Sequence, residues 1–301
     1  MTPLEYAEKY RNLEVYVIPL DEAGSGDGPT IPAGAWKRTR VASYRLGDSA
    51  YRERFFDSIR KHIGKEGLAV MVKTTDGTTS TAIFLTRDEV WQHFRHPFVG
   101  KGTPEQVQLA IQLTYRFYKT GAVFSDLDRF TAASFLGLDC NGFAGNYIQR
   151  GHGTSAGLWS KPGNYADPGP NSSMSTLMRL PGNQVLAAME EILAGTQDIY
   201  ILAMCDPSSG LITERNKTTT VEGKEETSHG HIMLTEPGTV EAAGSEIKVK
   251  VVESTGGKGL VDSEYRILKV AKARDRPKEG IFRVFRGSKG EEMSVKIARL
   301  A

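Results

Sequence analysis

Two cysteines and six histidines are the residues of this chain best suited to nucleophilic or metal chemistry. One of the cysteines stands in Leu138-Asp139-Cys140-Asn141-Gly142-Phe143-Ala144-Gly145-Asn146. Asp139 is a good N-cap residue, so this segment predicts a helix that opens at Cys140 despite its two glycines. A thiol in the first turn meets unpaired backbone N–H groups and the positive end of the helix dipole, which together favour a thiolate. The plainer alternative is that Cys140 is a small buried apolar residue, as free cysteines often are. The other cysteine, Cys205, ends the longest apolar run in the chain, Ile199–Cys205.

A thiolate nucleophile needs a base, and His231 is the candidate. In His229-Gly230-His231-Ile232-Met233-Leu234 a strand would put His229 and His231 on one face. His231 leads directly into the apolar run, which would fix its ring, whereas His229 sits at the strand entrance. A third group should orient the imidazole and hold its tautomer. The chain turns at Glu236-Pro237-Gly238 and returns through Val240-Glu241-Ala242, so a hairpin would bring Glu241 back beside the histidine strand. Trp159, Tyr165 and His152 fall in a Gly- and Pro-rich loop over Gly151–Ser173 and are candidates for a wall over a substrate cleft. With Asp139 and His229, Trp159 and Tyr165 complete the candidate substrate-binding set.

Asp139-Cys140-Asn141-Gly142-Phe143 resembles the Asp-Cys-Ser-Gly-Phe nucleophile motif of NlpC-type papain-like cysteine peptidases. Gly230-His231-Ile232-Met233-Leu234 is similar to their histidine strand, and Val240-Glu241-Ala242 falls where that family places its third polar residue. The resemblance implies a papain-like α+β fold, with a nucleophile helix packed on a mainly antiparallel sheet. It implies cleavage of amide bonds in peptidoglycan stem peptides through a thioester, with no cofactor or metal. Its reach in architecture is residues 126–301, leaving residues 1–125 as an additional N-terminal α+β region. Asn141 and Glu241 depart from the family's usual serine and its usual His, Asn or Gln.

Two other readings compete. His229 and His231 supply two zinc ligands on one face, and Cys205, Asp206 or His152 would complete the set of a metal-dependent hydrolase. A binding module that lacks an intact triad is the second.

The elements that must position these residues are written in periodicity and turn chemistry. Tyr51, Phe55, Ile59 and Ile63 recur every four positions, an amphipathic helix. Leu68–Lys73 and Thr79–Leu85 flank Asp76-Gly77, a hairpin signal. Thr86-Arg-Asp-Glu89 and Thr103-Pro-Glu-Gln106 are capping boxes that open two further helices. Ser125–Leu136 suggests a short helix, and Asn183–Gly195 a longer one with Asn183 as its cap. The remainder has β character: Ile199–Cys205, His229–Thr235, Val240–Ala243, Ile247–Glu253, Tyr265–Lys272, Ile281–Arg286 and Met293–Leu300. The polar stretch Asp206–Ser228 between the first two suggests a solvated or lid-like loop. Helices followed by strands suggest an α+β layer architecture.

Composition bounds the function classes. With 301 residues, 39% hydrophobic and 25% charged, the chain is of ordinary globular type. Its net charge of +2 falls short of the clustered basicity of a nucleic-acid binder. No apolar run approaches the roughly 18 residues of a membrane span. Met1–Tyr10 mixes acids and bases, so a secretory leader is not expected, and two cysteines do not make a disulfide framework. The expected partner is a peptide or peptidoglycan fragment, with no nucleic acid and no membrane span.

Overall fold

The computed structural model describes residues 1–18, 31, 33–41, 44, 49–63, 65–73, 79–117, 127, 131, 136–152, 169–214, 217–221, 224–228, 230–256, 258–272, 278–287, 290 and 292–301. Helix α1 (Pro3–Arg11) opens with a capping box in which Thr2 accepts from the Glu5 N–H and Glu5 accepts from the Thr2 N–H. Strands β1 (Leu13–Val17) and β2 (Ala35–Thr39) form an antiparallel pair. Helix α2 (Ser49–His62) follows, then the hairpin strands β3 (Leu68–Lys73) and β4 (Ser80–Leu85). Both expected capping boxes form, opening α3 (Arg87–Arg95) and α4 (Pro104–Phe117).

Helix α5 (Cys140–Asn146) runs into one π-helical segment, Tyr147–His152. After it come α6 (Met174–Met178), the short strand β5 (Gln184–Val185) and α7 (Met189–Ala194). The single helix expected over Asn183–Gly195 is therefore two elements. Glu191 caps the N–H groups of Ala187 and Ala188, which starts the helix late. Asn183 instead donates to the Leu177 carbonyl and accepts from the Ala301 N–H. The Asp206–Ser228 stretch is not all loop either. It contains β7 (Lys217–Val221) paired antiparallel with β8 (Lys224–Ser228).

The remaining strands are β6 (Tyr200–Met204), β9 (Ile232–Thr235), β10 (Glu241–Ala243), β11 (Glu246–Thr255), β12 (Gly259–Lys272), β13 (Gly280–Arg286) and β14 (Glu292–Arg299). They overturn the expected papain-like helix-on-sheet architecture. Strands β11, β12, β13, β14, β6 and β9 pair antiparallel in that order, and β9 pairs back onto β11 through Val251↔Thr235 and Val252↔Leu234. The sheet is thus a closed six-stranded barrel, with β10 added beside β11 and β5 beside β14. Closure removes the two long edges that an open sheet would expose. A register shift between Ile267 and Val270 bends the fourteen-residue β12 round the wall.

Alternation then sorts the side chains. Leu202, Met233, Val249, Val251, Tyr265, Ile267, Phe282, Val284, Val295 and Ile297 share one buried cluster, the barrel interior. Their neighbours Ile201, Ala203, Ile232, Leu234, Val252 and Ala298 belong to a second cluster with Phe143 and Ala144 of α5 and with Tyr6, Tyr10, Phe55, Phe94 and Val107. Both faces of β6 and β9 are therefore covered, which is why these strands read as unbroken apolar runs. The second cluster crosses residue 126, so the N-terminal helices and the barrel share one core. No helix among the described residues is long and apolar enough to cross a membrane.

Candidate functional site

Helix α5 lies against β9 and β11 of the barrel wall. Its start is fixed by Asp139, whose Oδ1 accepts from the Gly142 N–H at 2.5 Å and from Lys101 Nζ at 2.8 Å. That carboxylate is spent on setting the helix, and through it the position of Cys140. The opposite support comes from the loop before α4: the Asp139 N–H donates to the Gly100 carbonyl, and Asn146 donates to the carbonyls of Lys101 and Gly102. Both helix glycines are demanded by close approach. A Cβ on Gly142 would fall 1.7 Å from the Gly100 oxygen, and one on Gly145 would fall 2.5 Å from the Gly169 oxygen. Tyr6 packs on Phe143 and Tyr147, and the Tyr147 hydroxyl donates to the Met1 carbonyl. The N-terminal region is thus the cradle of the helix that carries Cys140.

Cys140 is buried at 8% exposure, and it lies close enough to the His231 ring to raise its pKa. His231 sits one residue before β9, its carbonyl accepting from the Met204 N–H of the neighbouring β6 at 2.9 Å. The other side of the imidazole meets Glu253, with Nε2 and Oε2 2.6 Å apart. Nε2 is thereby committed to the carboxylate. Glu253 is fully buried on β11. Its Oε1 accepts from the Tyr265 hydroxyl at 2.9 Å and its Oε2 from Arg286 Nη2 at 2.7 Å, while Arg286 Nε donates to the same Tyr265 oxygen at 2.8 Å. Every oxygen of the buried carboxylate is occupied, as a group in so dry a place requires.

The electrostatics follow. Burial pushes the His231 ring down, but the proximity of Cys140, the hydrogen bond to Glu253 and the charges of both outweigh that and raise it to about 9. Burial pushes the Glu253 carboxyl up, yet His231, Arg286 and Tyr265 together hold it below the usual carboxylate range. The arrangement is a thiol, an imidazole that accepts or returns its proton, and a fixed carboxylate behind the imidazole.

The expected third residue is not where the hairpin argument puts it. Glu241 is exposed on β10, paired in register with Lys248, and the acid on His231 is Glu253. The hairpin fails because β9 pairs with β6 and β11, and β10 pairs with β11. A signal for Glu253 was present. Ile247, Val249 and Val251 alternate on the inner face of β11, and Glu253 continues their parity. Continuing the Val251↔Thr235 register places Glu253 opposite Met233 and diagonal to His231 on the same face. A carboxylate on the apolar side of a strand needs a partner, and the histidine is it.

Trp159, Tyr165 and His229 lie outside the described residues, and so do Asp76-Gly77 and most of Ser125–Leu136. Of the other groups named for zinc, Asp206 turns its Oδ1 to the N–H and hydroxyl groups of Ser208 and Ser209. Cys205 is buried at the end of β6. Among the described residues no group of three or more His, Cys, Asp or Glu is set to hold a metal ion. Compared with family models, curated proteins and solved structures, the chain matches none.

Proposed function

We propose that this protein is a cysteine hydrolase that cleaves amide bonds through a thioester, with Cys140 as nucleophile, His231 as general base and acid, and Glu253 as the group that orients His231. The observation that carries the reading is His231 bonded to a fully buried, saturated carboxylate, with Cys140 close enough to the ring to raise its pKa.

His231 takes the thiol proton and the sulfur attacks the substrate carbonyl carbon. The backbone N–H of Cys140, at the start of α5, is the donor for the oxyanion in this reading. The tetrahedral adduct collapses as the C–N bond breaks, and the imidazolium gives its proton to the leaving amine. Water then attacks the thioester carbonyl with His231 accepting its proton, and the acid product leaves as the thiol is restored. Glu253, kept ionised by Arg286, holds the tautomer of His231 and stabilises the imidazolium.

Stem peptides of peptidoglycan, which the motif resemblance implies, are the first substrates to assay. Cys140→Ala is expected to abolish release of new amino groups from them while the protein melts as the wild type does. Cleavage at the wild-type rate by Cys140→Ala would remove this mechanism.

A further inference from the structure

Glu253 and Arg286 extend the inner face of the barrel. Glu253 continues the parity of Ile247, Val249 and Val251 on β11, and Arg286 that of Phe282 and Val284 on β13. Tyr265 stands opposite Arg286 in register, and its hydroxyl accepts from Arg286 Nε at 2.8 Å and donates to Glu253 Oε1 at 2.9 Å. The other carboxylate oxygen, Oε2, is shared: His231 Nε2 lies 2.6 Å from it and Arg286 Nη2 2.7 Å. The carboxylate is wholly buried, whereas the Arg286 side chain is 34% exposed.

Charge decides what this sharing does. Glu253 carries a full negative charge in a dry place and needs a permanent counter-ion. Were His231 that counter-ion, the imidazolium could give up its proton only by leaving the carboxylate unbalanced, and the proton would stay on the ring. A guanidinium removes the constraint, because it stays charged at every pH of interest. Glu253 and Arg286 then sum to zero, and so do Cys140 and His231 whether the proton sits on sulfur or on the ring. Tyr265 adds no charge, since burial and the Glu253 carboxylate push its phenol up and keep it protonated. Asp139, beside Cys140 at the helix start, is paired with Lys101.

We propose that Arg286 is a positioning residue that frees His231 to release its proton in each turnover, by balancing Glu253 in its place. This rests on the hydrolytic reading above and deepens it: Glu253 orients the imidazole, and Arg286, acting through that carboxylate, decides whether the proton can pass to the leaving amine.

The test follows the His231 ring by NMR titration of the full chain, its resonances assigned by their loss in His231→Gln, beside the pH profile of stem-peptide cleavage. In Arg286→Met the ring should hold its proton to higher pH by about one unit or more, and the alkaline limb of turnover should rise with it. Turnover at neutral pH should fall on the order of tenfold, because the imidazolium has become a poorer acid. Glu253→Gln moves the same limb down, so the two variants shift it in opposite directions, which general loosening of the site does not do. Arg286→Lys keeps the charge and should return most of the wild-type profile. If Arg286→Met does not fold, Tyr265→Phe decides: it takes one donor from the carboxylate at nearly unchanged shape and should raise the ring's titration by a smaller step. A His231 titration that stays in place or falls in Arg286→Met, or in Tyr265→Phe where only that variant folds, would overturn the proposal. So would an Arg286→Lys protein that titrates like Arg286→Met. The titration needs no turnover, so a Cys140→Ala protein that still cleaves would fell the hydrolytic reading without altering what the ring reports of Arg286.

Discussion

The two cysteines of this chain are about equally buried, at 8% and 5% exposure for Cys140 and Cys205, yet their surroundings make them different chemicals. Cys205 ends β6, where its N–H donates to the Ser294 carbonyl and its neighbours are Ile281 and Ile212. Burial pushes that thiol up to about 12; Lys296 pulls it the other way without prevailing, and Asp206 adds to the rise. At neutral pH it is a protonated, inert filler of the wall. Cys140 opens a helix beside an imidazole that is itself held by a buried carboxylate. Burial alone makes a cysteine a small hydrophobe. The helix start and a clamped histidine are what turn a buried sulfur into a candidate nucleophile.

Alkylation is the most direct way to break that contrast. With iodoacetamide near neutral pH, followed by mass spectrometry, Cys140 should be modified at least about 100-fold faster than Cys205. His231→Ala should remove most of that advantage and leave Cys205 as slow as before. Equal rates for the two thiols, or a Cys140 rate indifferent to His231→Ala, would mean that the imidazole does not serve the sulfur.

A smaller and sharper test falls on the residue behind the histidine. Glu253→Gln keeps the shape of the side chain and removes its charge, leaving the ring with Cys140 alone to raise it. The His231 ring stands above its ordinary 6.5, at about 9. The stabilisation it draws from its partners is therefore complete below about pH 6.5 and is lost as the pH rises through about 9. Above that pH the imidazole also has no proton to give the leaving amine, so turnover should fall. In Glu253→Gln the alkaline limb of the rate profile should move to lower pH, and kcat should drop on the order of 10- to 100-fold. A limb that stays where it is would place the carboxylate outside the proton's path.

What the sequence disclosed of this site divides along the same line between local and distant contacts. The helix start at Cys140 was legible because Asp139 and Gly142 are three residues apart, and their hydrogen bond is a local matter. So were most of the barrel strands, from their alternation, and the capping boxes at Thr86 and Thr103. The Thr2-Pro3-Leu4-Glu5 box obeys the same rule and went unread. The β-branched Thr218-Thr219-Thr220 run lies in the stretch expected to be a loop and is the middle of β7. The closure of the barrel was not legible, because it depends on β9 meeting β11 across the sheet, and no local pattern says which edges meet. Glu241 was named in place of Glu253 for that reason. Proximity along a presumed hairpin stood in for a pairing that belongs to the closed barrel.

The smallest expected effect concerns how the cradle supports Cys140. Gly142→Ala leaves Cys140, His231 and Glu253 untouched but sets a methyl group 1.7 Å from the Gly100 oxygen, so either the helix or the loop before α4 must withdraw. Over-packing of this kind costs about 1–3 kcal/mol, a drop readable by chemical denaturation. The Asp139 N–H bond to Gly100 and the Lys101–Asp139 pair tie that loop to the start of α5, so the shift should reach the sulfur as well. Alkylation of Cys140 should slow several-fold while Cys205 is unchanged. Loss of stability without any change at Cys140 would show that the N-terminal region holds the helix in place but does not aim it.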